Sequence, residues 1–123
     1  MSEEYGRIFL AKEGVPSFFN PSRNILVLSS DPLEAAHELA HVRLGHSISG
    51  SSLFELNEER EAWKEALRRI NPDEIKVSKV ERDMNTYLEE VGREYGYGGA
   101  QYQIGSRWLE EVMSLARKRK KEA

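Results

Sequence analysis

The segment SDPLEAAHELAHVRLG, residues 30–45, constrains the fold of this 123-residue chain more than any other stretch. Asp31 is a favoured N-cap, Pro32 suits the first helical position, and Glu34 stands three residues after the cap, as in a capping box. Gly45 is a typical C-terminal stop. Any fold of this chain must therefore place a helix here and cover one of its faces.

Two histidines give this helix its chemistry. His37 and His41 belong to an HELAH sequence, which matches HExxH. Residues four apart lie on one helical face, about one turn apart, so both imidazoles can reach one ion. Glu38 is displaced around the helix, where it can accept a proton from metal-bound water instead of binding the metal. The expected ion is Zn²⁺, which lowers the pKa of such a water to about 7.

Two histidines do not complete a catalytic zinc site, and His46 is the weaker of two candidates for the third ligand. If the helix continues, His46 falls about 180° from His37 and points away from the metal face. If Gly45 ends the helix, His46 is only five residues beyond His41, whereas the HExxHxxGxxH pattern needs six. A residue of the cleft that supports the ligands is the preferred interpretation of His46.

Glu59 is the stronger candidate, because it stands in the middle of an apolar helical face. NEEREAWKEALRRI is predicted to be the second helix, and its apolar positions cluster around Glu59: Ala62, Trp63, Ala66, Leu67 and Ile70. The other acidic positions fall on the solvent side: Glu58, Glu61 and Glu65. Burying an isolated charge is costly, so a buried Glu59 needs a partner such as a metal ion. The alternative is that Glu59 only favours the positive end of the helix dipole.

The rest of the chain predicts strands first and helices afterwards. GRIFLAKEG and SRNILVLSS are β-rich runs separated by turn residues, which indicates two or three antiparallel strands. The predicted fold class is α+β, with about four helices on one face of a small antiparallel sheet. Besides the HELAH helix, three helices are expected: from an Asn57 cap to just before Asn71-Pro72, from Ser78 to Tyr95, and from Ile104 into the basic tail.

Length and composition favour one domain over residues 1–123, with strands in 1–30, metal-site helices in 31–72, and C-terminal helices with a basic tail in 73–123. The chain has no cysteine, which excludes disulfides and thiolate ligands. Its net charge is −3 although residues 117–123 carry five basic side chains, so the remainder is acidic, which argues against nucleic-acid binding.

Neither a membrane span nor a signal peptide is expected from the sequence. The chain is therefore interpreted as cytoplasmic, without a membrane partner. The expected partner is a peptide or protein substrate, and a homodimer is left open.

HELAH with a helical glutamate downstream resembles the gluzincin pattern of zinc metallopeptidases. The ImmA/IrrE family is similar over FFNPSRNILVLSSDPLEAAHELAH and EREAWKEALRRINP, which together lie within residues 18–72. This resemblance implies that Glu59 is the third ligand, that Ala62 and Ala66 are small packing residues, and that Pro72 is the closing proline. Trp63 and Glu65 depart from the residues usual in that family.

HELAHVRLGHS also resembles the corresponding helix of the CAAX-prenyl and heat-shock-type membrane peptidases and of their soluble minigluzincin relatives. Their ExxAD motif again places the ligand at Glu59, with Trp63 where an aspartate is usual. Minigluzincins are described with a histidine as third ligand, and no histidine follows His46 in this chain.

These resemblances imply a minimal zincin-like domain that acts as a zinc endopeptidase and cleaves, for example, a regulatory protein. His37, His41 and Glu59 would hold Zn²⁺, and Glu38 would be the catalytic base. Extended substrate would lie along residues 25–28. An oxyanion-stabilising residue is expected among five candidates: Tyr87, Tyr95, Tyr97, Tyr102 and Arg107.

Two further hypotheses follow from the C-terminal part and from the site. The glycine-rich GYGGAQ segment precedes an otherwise unexplained last helix, which suggests a latent enzyme whose C-terminal segment plugs the cleft. The alternative to an enzyme is a non-catalytic zinc-binding interaction module of a mobile element or a toxin–antitoxin system.

Overall fold

The computed structural model describes residues 7–10, 18–20, 25–28, 30–46 and 50–123. Three short strands precede four α-helices, and a 3₁₀ turn at Pro72–Glu74 joins the second helix to the third. The strands are β1 (Arg7–Leu10), β2 (Phe18–Asn20) and β3 (Ile25–Leu28). The helices are α1 (Pro32–Arg43), α2 (Ser52–Arg69), α3 (Val77–Tyr95) and α4 (Ala100–Lys120).

The buried side chains within residues 30–46 and 50–123 form a hydrophobic core around the four helices. α2 is central, since it packs against α1, α3 and α4. Trp63 and Leu67 of α2, Met84 of α3 and Met113 of α4 are almost completely buried. Every buried side chain that the structure describes lies in one of the four helices or in the link between α2 and α3. Each large apolar side chain in this core contributes roughly 1.5–3 kcal/mol.

The predicted α+β fold with an antiparallel sheet is wrong. Most of the described chain is helical, and the strands, three or four residues long, form a small mixed sheet in the order β1–β3–β2. β1 runs parallel to β3, and only β2 pairs with β3 in the antiparallel direction. Alternation along a run of residues indicates which side chains share a face, but it does not determine the order or direction of the strand partners.

The predicted start and stop of α1 are confirmed. The Asp31 carboxylate accepts a hydrogen bond from the Leu33 N–H at 3.4 Å, and Pro32 is the first helical residue. Gly45 follows the helix with φ +72°, a left-handed conformation that a residue with a Cβ rarely adopts. The third helix also agrees closely with its predicted bounds. None of the helices in the described ranges is long and apolar enough to cross a membrane.

The predicted start of α2 at Asn57 is wrong, because Asn57 lies inside the helix. α2 begins at Ser52, and its cap is Ser51, whose hydroxyl accepts a hydrogen bond from the Phe54 N–H. Glu94 of α3 supports this start, since its carboxylate accepts both the Ser52 N–H at 3.0 Å and the Ser52 O–H at 2.5 Å. A tertiary contact therefore extends the helix beyond the cap that local sequence favours. α4 likewise begins at Ala100, earlier than the expected Ile104.

Contacts between helices hold α1 in place. Lys79 of α3 lies 2.5 Å from the Asp31 carboxylate and 2.6 Å from that of Glu34, so the first turn of α1 is tied to α3. A further contact joins α4 to α2, since the Arg119 guanidinium donates to the Leu67 and Ile70 carbonyls at 2.8 Å each. The last turn of α2 is thus closed by α4, as cations commonly close helix C-termini.

Candidate metal centre

His37, His41 and Glu59 converge at the packing interface of α1 and α2. Glu59 Oε1 lies 2.8 Å from His37 Nε2, and Glu59 Oε2 lies 2.8 Å from His41 Nε2. The two Nε2 atoms are 3.2 Å apart. The structure thus brings together the two histidines and the glutamate that the sequence nominates as ligands.

These separations suit a shared ion. Ligands about 2.0–2.1 Å from a tetrahedral Zn²⁺ would lie about 3.3 Å from one another. The two Nε2 atoms lie 3.2 Å apart, and each lies 2.8 Å from one of the two Glu59 carboxylate oxygens, so only small side-chain adjustments would be needed. The His37–Glu38–His41 and His37–Glu59–Asp83 groups can each hold a metal ion, since their ligand atoms lie within 4.8 Å of one another.

Glu59 is buried as the helical pattern predicts, with a relative exposure of 6%. Burial raises the pKa of its carboxyl group, but hydrogen bonds and attraction from His37 and His41 outweigh this, so the pKa falls well below its usual value. For His37, burial lowers the pKa and the Glu59 carboxylate raises it, with a net rise. The buried carboxylate is therefore held in its charged form by two imidazoles, as a metal ligand must be.

Glu38 lies beside the ligands without being one of the three converging groups. Its pKa is raised, first by burial and also by the nearby carboxylates of Glu59 and Glu34, although His37 and His41 oppose this rise. A carboxylate with a raised pKa accepts a proton more readily at neutral pH. The environment of Glu38 is therefore suitable for a general base.

His46 contacts His41, a candidate ligand, and is not one of the three converging side chains. Its Nδ1 lies 2.9 Å from His41 Nδ1, and its Nε2 lies 3.0 Å from Glu61 Oε1. If His41 Nε2 binds a metal, its proton must be on Nδ1, where it donates to His46 Nδ1. His46 then carries its own proton on Nε2 and donates it to Glu61. One chain of hydrogen bonds therefore orients the His41 ring.

Trp63 and Asp83 form a second contact with the site, and Asp83 was missed at the sequence level. The Trp63 ring stacks on His37, with ring centroids 4.0 Å apart and planes 12° apart. The Trp63 Nε1–H donates to Asp83 Oδ2 at 2.8 Å, and this oxygen lies 3.9 Å from His37 Nε2. Burial and the nearby Glu59 carboxylate raise the pKa of Asp83 to about 6, although His37 opposes this.

The helical pattern gives only a weak sequence signal for Asp83. Asp83 stands three residues after Val80 and four before Tyr87, at the edge of the apolar face of α3. In the families that the sequence resembles, an aspartate is usual at the position of Trp63, so the resemblance indicated α2, and not α3, as the source of this carboxylate. The structure supplies a carboxylate near that place from α3.

Among the five candidates for an oxyanion-stabilising residue, Tyr87 is the one that lies near the carboxylates of the site. Burial raises the pKa of its hydroxyl, and the carboxylates of Glu59 and Asp83 raise it further. The Tyr97 hydroxyl instead donates to Glu89 at 2.6 Å, and the Tyr102 ring packs edge-on against Tyr97. Tyr95 hydrogen-bonds to Glu94, and Arg107 is exposed.

The predicted path of substrate along β3 does not agree with the sheet. β3 is the central strand, and its residues from Ile25 to Val27 have partners on both β1 and β2. An added peptide strand needs an edge with free N–H and C=O groups. Among the strands that the structure describes, β1 and β2 are at the edges of the sheet, and β2 also contacts α1.

Comparisons of the chain with protein-family models, with curated proteins and with solved structures found no match. The assignment of this site therefore depends on its own geometry.

Proposed function

We propose that the protein is a zinc-dependent peptidase. Its substrate would bind between α1 and α3, where the peptide bond would be hydrolysed. The observation that carries the proposal is the convergence of His37 Nε2, His41 Nε2 and the Glu59 carboxylate within 2.8–3.2 Å, with Glu38 beside them. Two imidazoles and one carboxylate are the ligand set of many catalytic zinc sites. The absence of cysteine restricts the metal to nitrogen and oxygen ligands.

The chain's own residues would divide the chemistry between them. A bound Zn²⁺ would act as a Lewis acid on the scissile carbonyl and lower the pKa of a water to about 7. Glu38 would accept the proton of the attacking water and return it to the leaving amine. The Tyr87 hydroxyl would donate a hydrogen bond to the carbonyl oxygen as negative charge develops there. His46 and Glu61 would hold the His41 ring in its ligating orientation.

The substrate class that fits is an extended segment of a protein. An extended peptide can pair with an edge strand, and β2 is an edge strand that contacts α1. Such pairing would bring the scissile bond towards the histidine face of α1, with recognition through main-chain hydrogen bonds.

The decisive experiment compares wild type with Glu38→Gln on a fluorescently labelled unfolded protein such as casein. Glu38→Gln removes the base but keeps the shape of the side chain. We expect a fall in kcat of about 10²–10⁴-fold with Zn²⁺ content unchanged. Glu110→Gln, which changes an exposed glutamate of α4, is the matched control and should retain activity. Hydrolysis that persists in Glu38→Gln at the wild-type rate would show that the activity is not that of this site.

The second candidate function is a non-catalytic zinc-binding interaction module. Asp83 favours this second function, because its Oδ2 lies 3.9 Å from His37 Nε2 and would be a fourth protein ligand of the zinc. Structural zinc sites have four protein ligands, whereas catalytic sites keep one position open. If purified protein binds Zn²⁺ but neither wild type nor any Asp83 variant hydrolyses the labelled substrate, this second function is favoured.

A further inference from the structure

Asp83 belongs to the site by position, although neither HExxH nor the glutamate helix includes it. Its Oδ2 lies 3.9 Å from His37 Nε2, the nitrogen that faces Glu59 and would bind the metal. A residue that only orients a ligating histidine contacts the other ring nitrogen, as His46 does at His41 Nδ1. Asp83 therefore approaches His37 from the side on which a metal would lie.

The distance requires little movement. Ligands of one tetrahedral Zn²⁺ are about 3.3 Å apart, so Asp83 Oδ2 would need to move about 0.6 Å towards His37 Nε2. An aspartate with a third of its side chain exposed can make this movement by rotation about its side-chain bonds. The Trp63 Nε1–H, which donates to Oδ2, limits the range of that rotation.

The charges of the site also favour a cation shared with Asp83. Three carboxylates surround two imidazoles here: those of Glu38, Glu59 and Asp83. Trp63 gives Asp83 one hydrogen bond but no positive charge. Lys79, which precedes Asp83 by one turn on α3, is engaged with Asp31 and Glu34. A divalent ion between the carboxylates would relieve their mutual repulsion.

We propose that Asp83 is a fourth protein ligand of the metal centre, so that α1, α2 and α3 together form a site of two histidines and two carboxylates. This inference rests on the metal site of the proposed function. The resting site is then closed, and Asp83 must leave the metal before a substrate carbonyl can reach it. Asp83 thereby regulates access of the substrate to the metal. When Asp83 leaves the metal, the hydrogen bond from Trp63 keeps its carboxylate near the site.

The first test measures Zn²⁺ affinity by competition with a chromophoric chelator. Asp83→Asn keeps an oxygen that can accept the Trp63 hydrogen bond, and Asp83→Ala removes the group. We expect both variants to bind Zn²⁺ at least about 100-fold more weakly than wild type, the upper end of the loss caused by removing a residue that only supports a ligand. The matched control is Glu81→Ala, an exposed acidic residue on the same helix. Asp83 variants that bind Zn²⁺ as tightly as Glu81→Ala overturn the proposal.

The second test examines whether Asp83 occupies a coordination position. The Co²⁺-loaded protein is titrated with acetohydroxamate, which binds metal positions that protein groups leave open, and the visible spectrum is recorded. We expect tighter acetohydroxamate binding in Asp83→Ala than in wild type. Equal binding by the two proteins contradicts a closed site. Circular dichroism of the metal-free proteins checks that the variants fold.

The two proposals fail in different ways. If Asp83 variants lose Zn²⁺ affinity and open the site but no variant hydrolyses peptide, Asp83 is a ligand and the peptidase function is wrong. If wild type and Asp83→Ala hydrolyse peptide equally, in a Glu38-dependent manner and with equal Zn²⁺ affinity, the peptidase function stands and the role of Asp83 is wrong. Faster Glu38-dependent hydrolysis by Asp83→Ala supports both.

Discussion

At the scale of single residues, the contact between His41 and His46 distinguishes a candidate ligand from the residue that orients its ring. His46 reaches His41 through Nδ1 and passes a hydrogen bond to Glu61, whereas Glu59 reaches His41 through Nε2. His41 of the HELAH segment and His46 of the GHS segment are therefore close together, although only His41 of this pair faces the converging atoms. Proximity alone would not distinguish their roles, but the ring nitrogen used in each contact does.

We predict that His46→Ala weakens Zn²⁺ binding about 10–100-fold, because the His41 ring loses the group that orients it. Glu59→Ala should weaken binding further, because it removes a ligand and leaves the imidazoles without their carboxylate. Zinc content after dialysis against a chelator measures the difference. A His46→Ala protein that loses zinc beside a Glu59→Ala protein that keeps it would reverse the assignment of these two residues.

At the residue scale, the sequence could predict the features that depend on the periodicity of a helix. Four-residue spacing placed His37 and His41 on one face, and helical geometry placed Glu59 in an apolar face. Asp83 could not be assigned in this way, because its importance depends on how α3 packs against α1 and α2. The helical pattern placed it only at the edge of an apolar face, where acidic residues are common without a ligand.

At the scale of elements, Lys79 determines how the N-terminal end of α1 meets α3. Its ammonium group lies between the carboxylates of Asp31 and Glu34, and all three side chains are less than a third exposed. The same Asp31 carboxylate also caps α1. This group of charges therefore fixes the helix that carries both histidines.

We predict that Lys79→Met lowers the free energy of unfolding by about 0.5–1 kcal/mol at pH 7. Burial raises the pKa of Asp31, but hydrogen bonds from Lys79 and Lys76 lower it more, so its net pKa is below the usual 3.8. A group with a lowered folded-state pKa stabilises the fold above its unfolded pKa and loses that effect as pH falls through the folded one. The difference between wild type and Lys79→Met should therefore shrink below pH 3.8.

Urea unfolding at pH 7 and at about pH 3 measures this difference. Lys118→Met, which changes an exposed lysine of α4, is the matched control and should leave stability unchanged at both pH values. A Lys79 effect that stays constant down to pH 3 would mean that packing of the lysine stem, and not its charge, joins α3 to α1.

The ends of a helix could be predicted from the sequence where the capping groups belong to neighbouring residues. They could not be predicted where a group from a distant part of the chain supports the helix end. α1 begins and ends as its own residues indicate, from Asp31 to Gly45. α2 begins earlier than Asn57 because Glu94, distant in sequence, accepts hydrogen bonds from Ser52. The sheet shows the same limit, since the parallel pairing of β1 with β3 depends on the path of the chain between the strands.

At the scale of the whole molecule, α4 is part of the core. Val112, Met113 and Ala116 are completely buried, and Gly105 lies so close to Leu56 and Leu88 that an added Cβ would come within 2.8 Å of both. This close packing joins α4 to α2 and α3. The suggestion that the last helix is a removable plug stays a prediction, and the packing of α4 gives it a direct test.

We predict that truncation after Gly98 abolishes cooperative unfolding and Zn²⁺ binding together. Loss of the buried α4 side chains would remove several contributions of roughly 1.5–3 kcal/mol each, which is comparable to the net stability of a small domain. Thermal unfolding by circular dichroism and chelator competition measure the two effects. A truncated protein that folds, binds Zn²⁺ and hydrolyses peptide faster than the full chain would instead establish the plug.

The joining of three helices at the proposed site would also make the stability of the protein depend on its metal supply. An ion held by His37 and His41 of α1, Glu59 of α2 and Asp83 of α3 would act as a cross-link that unfolding must break. Free metal at 1,000 times its dissociation constant adds about 4 kcal/mol to stability. When the metal is scarce, the chain would unfold more often and be more exposed to proteolysis, so the amount of the protein would fall.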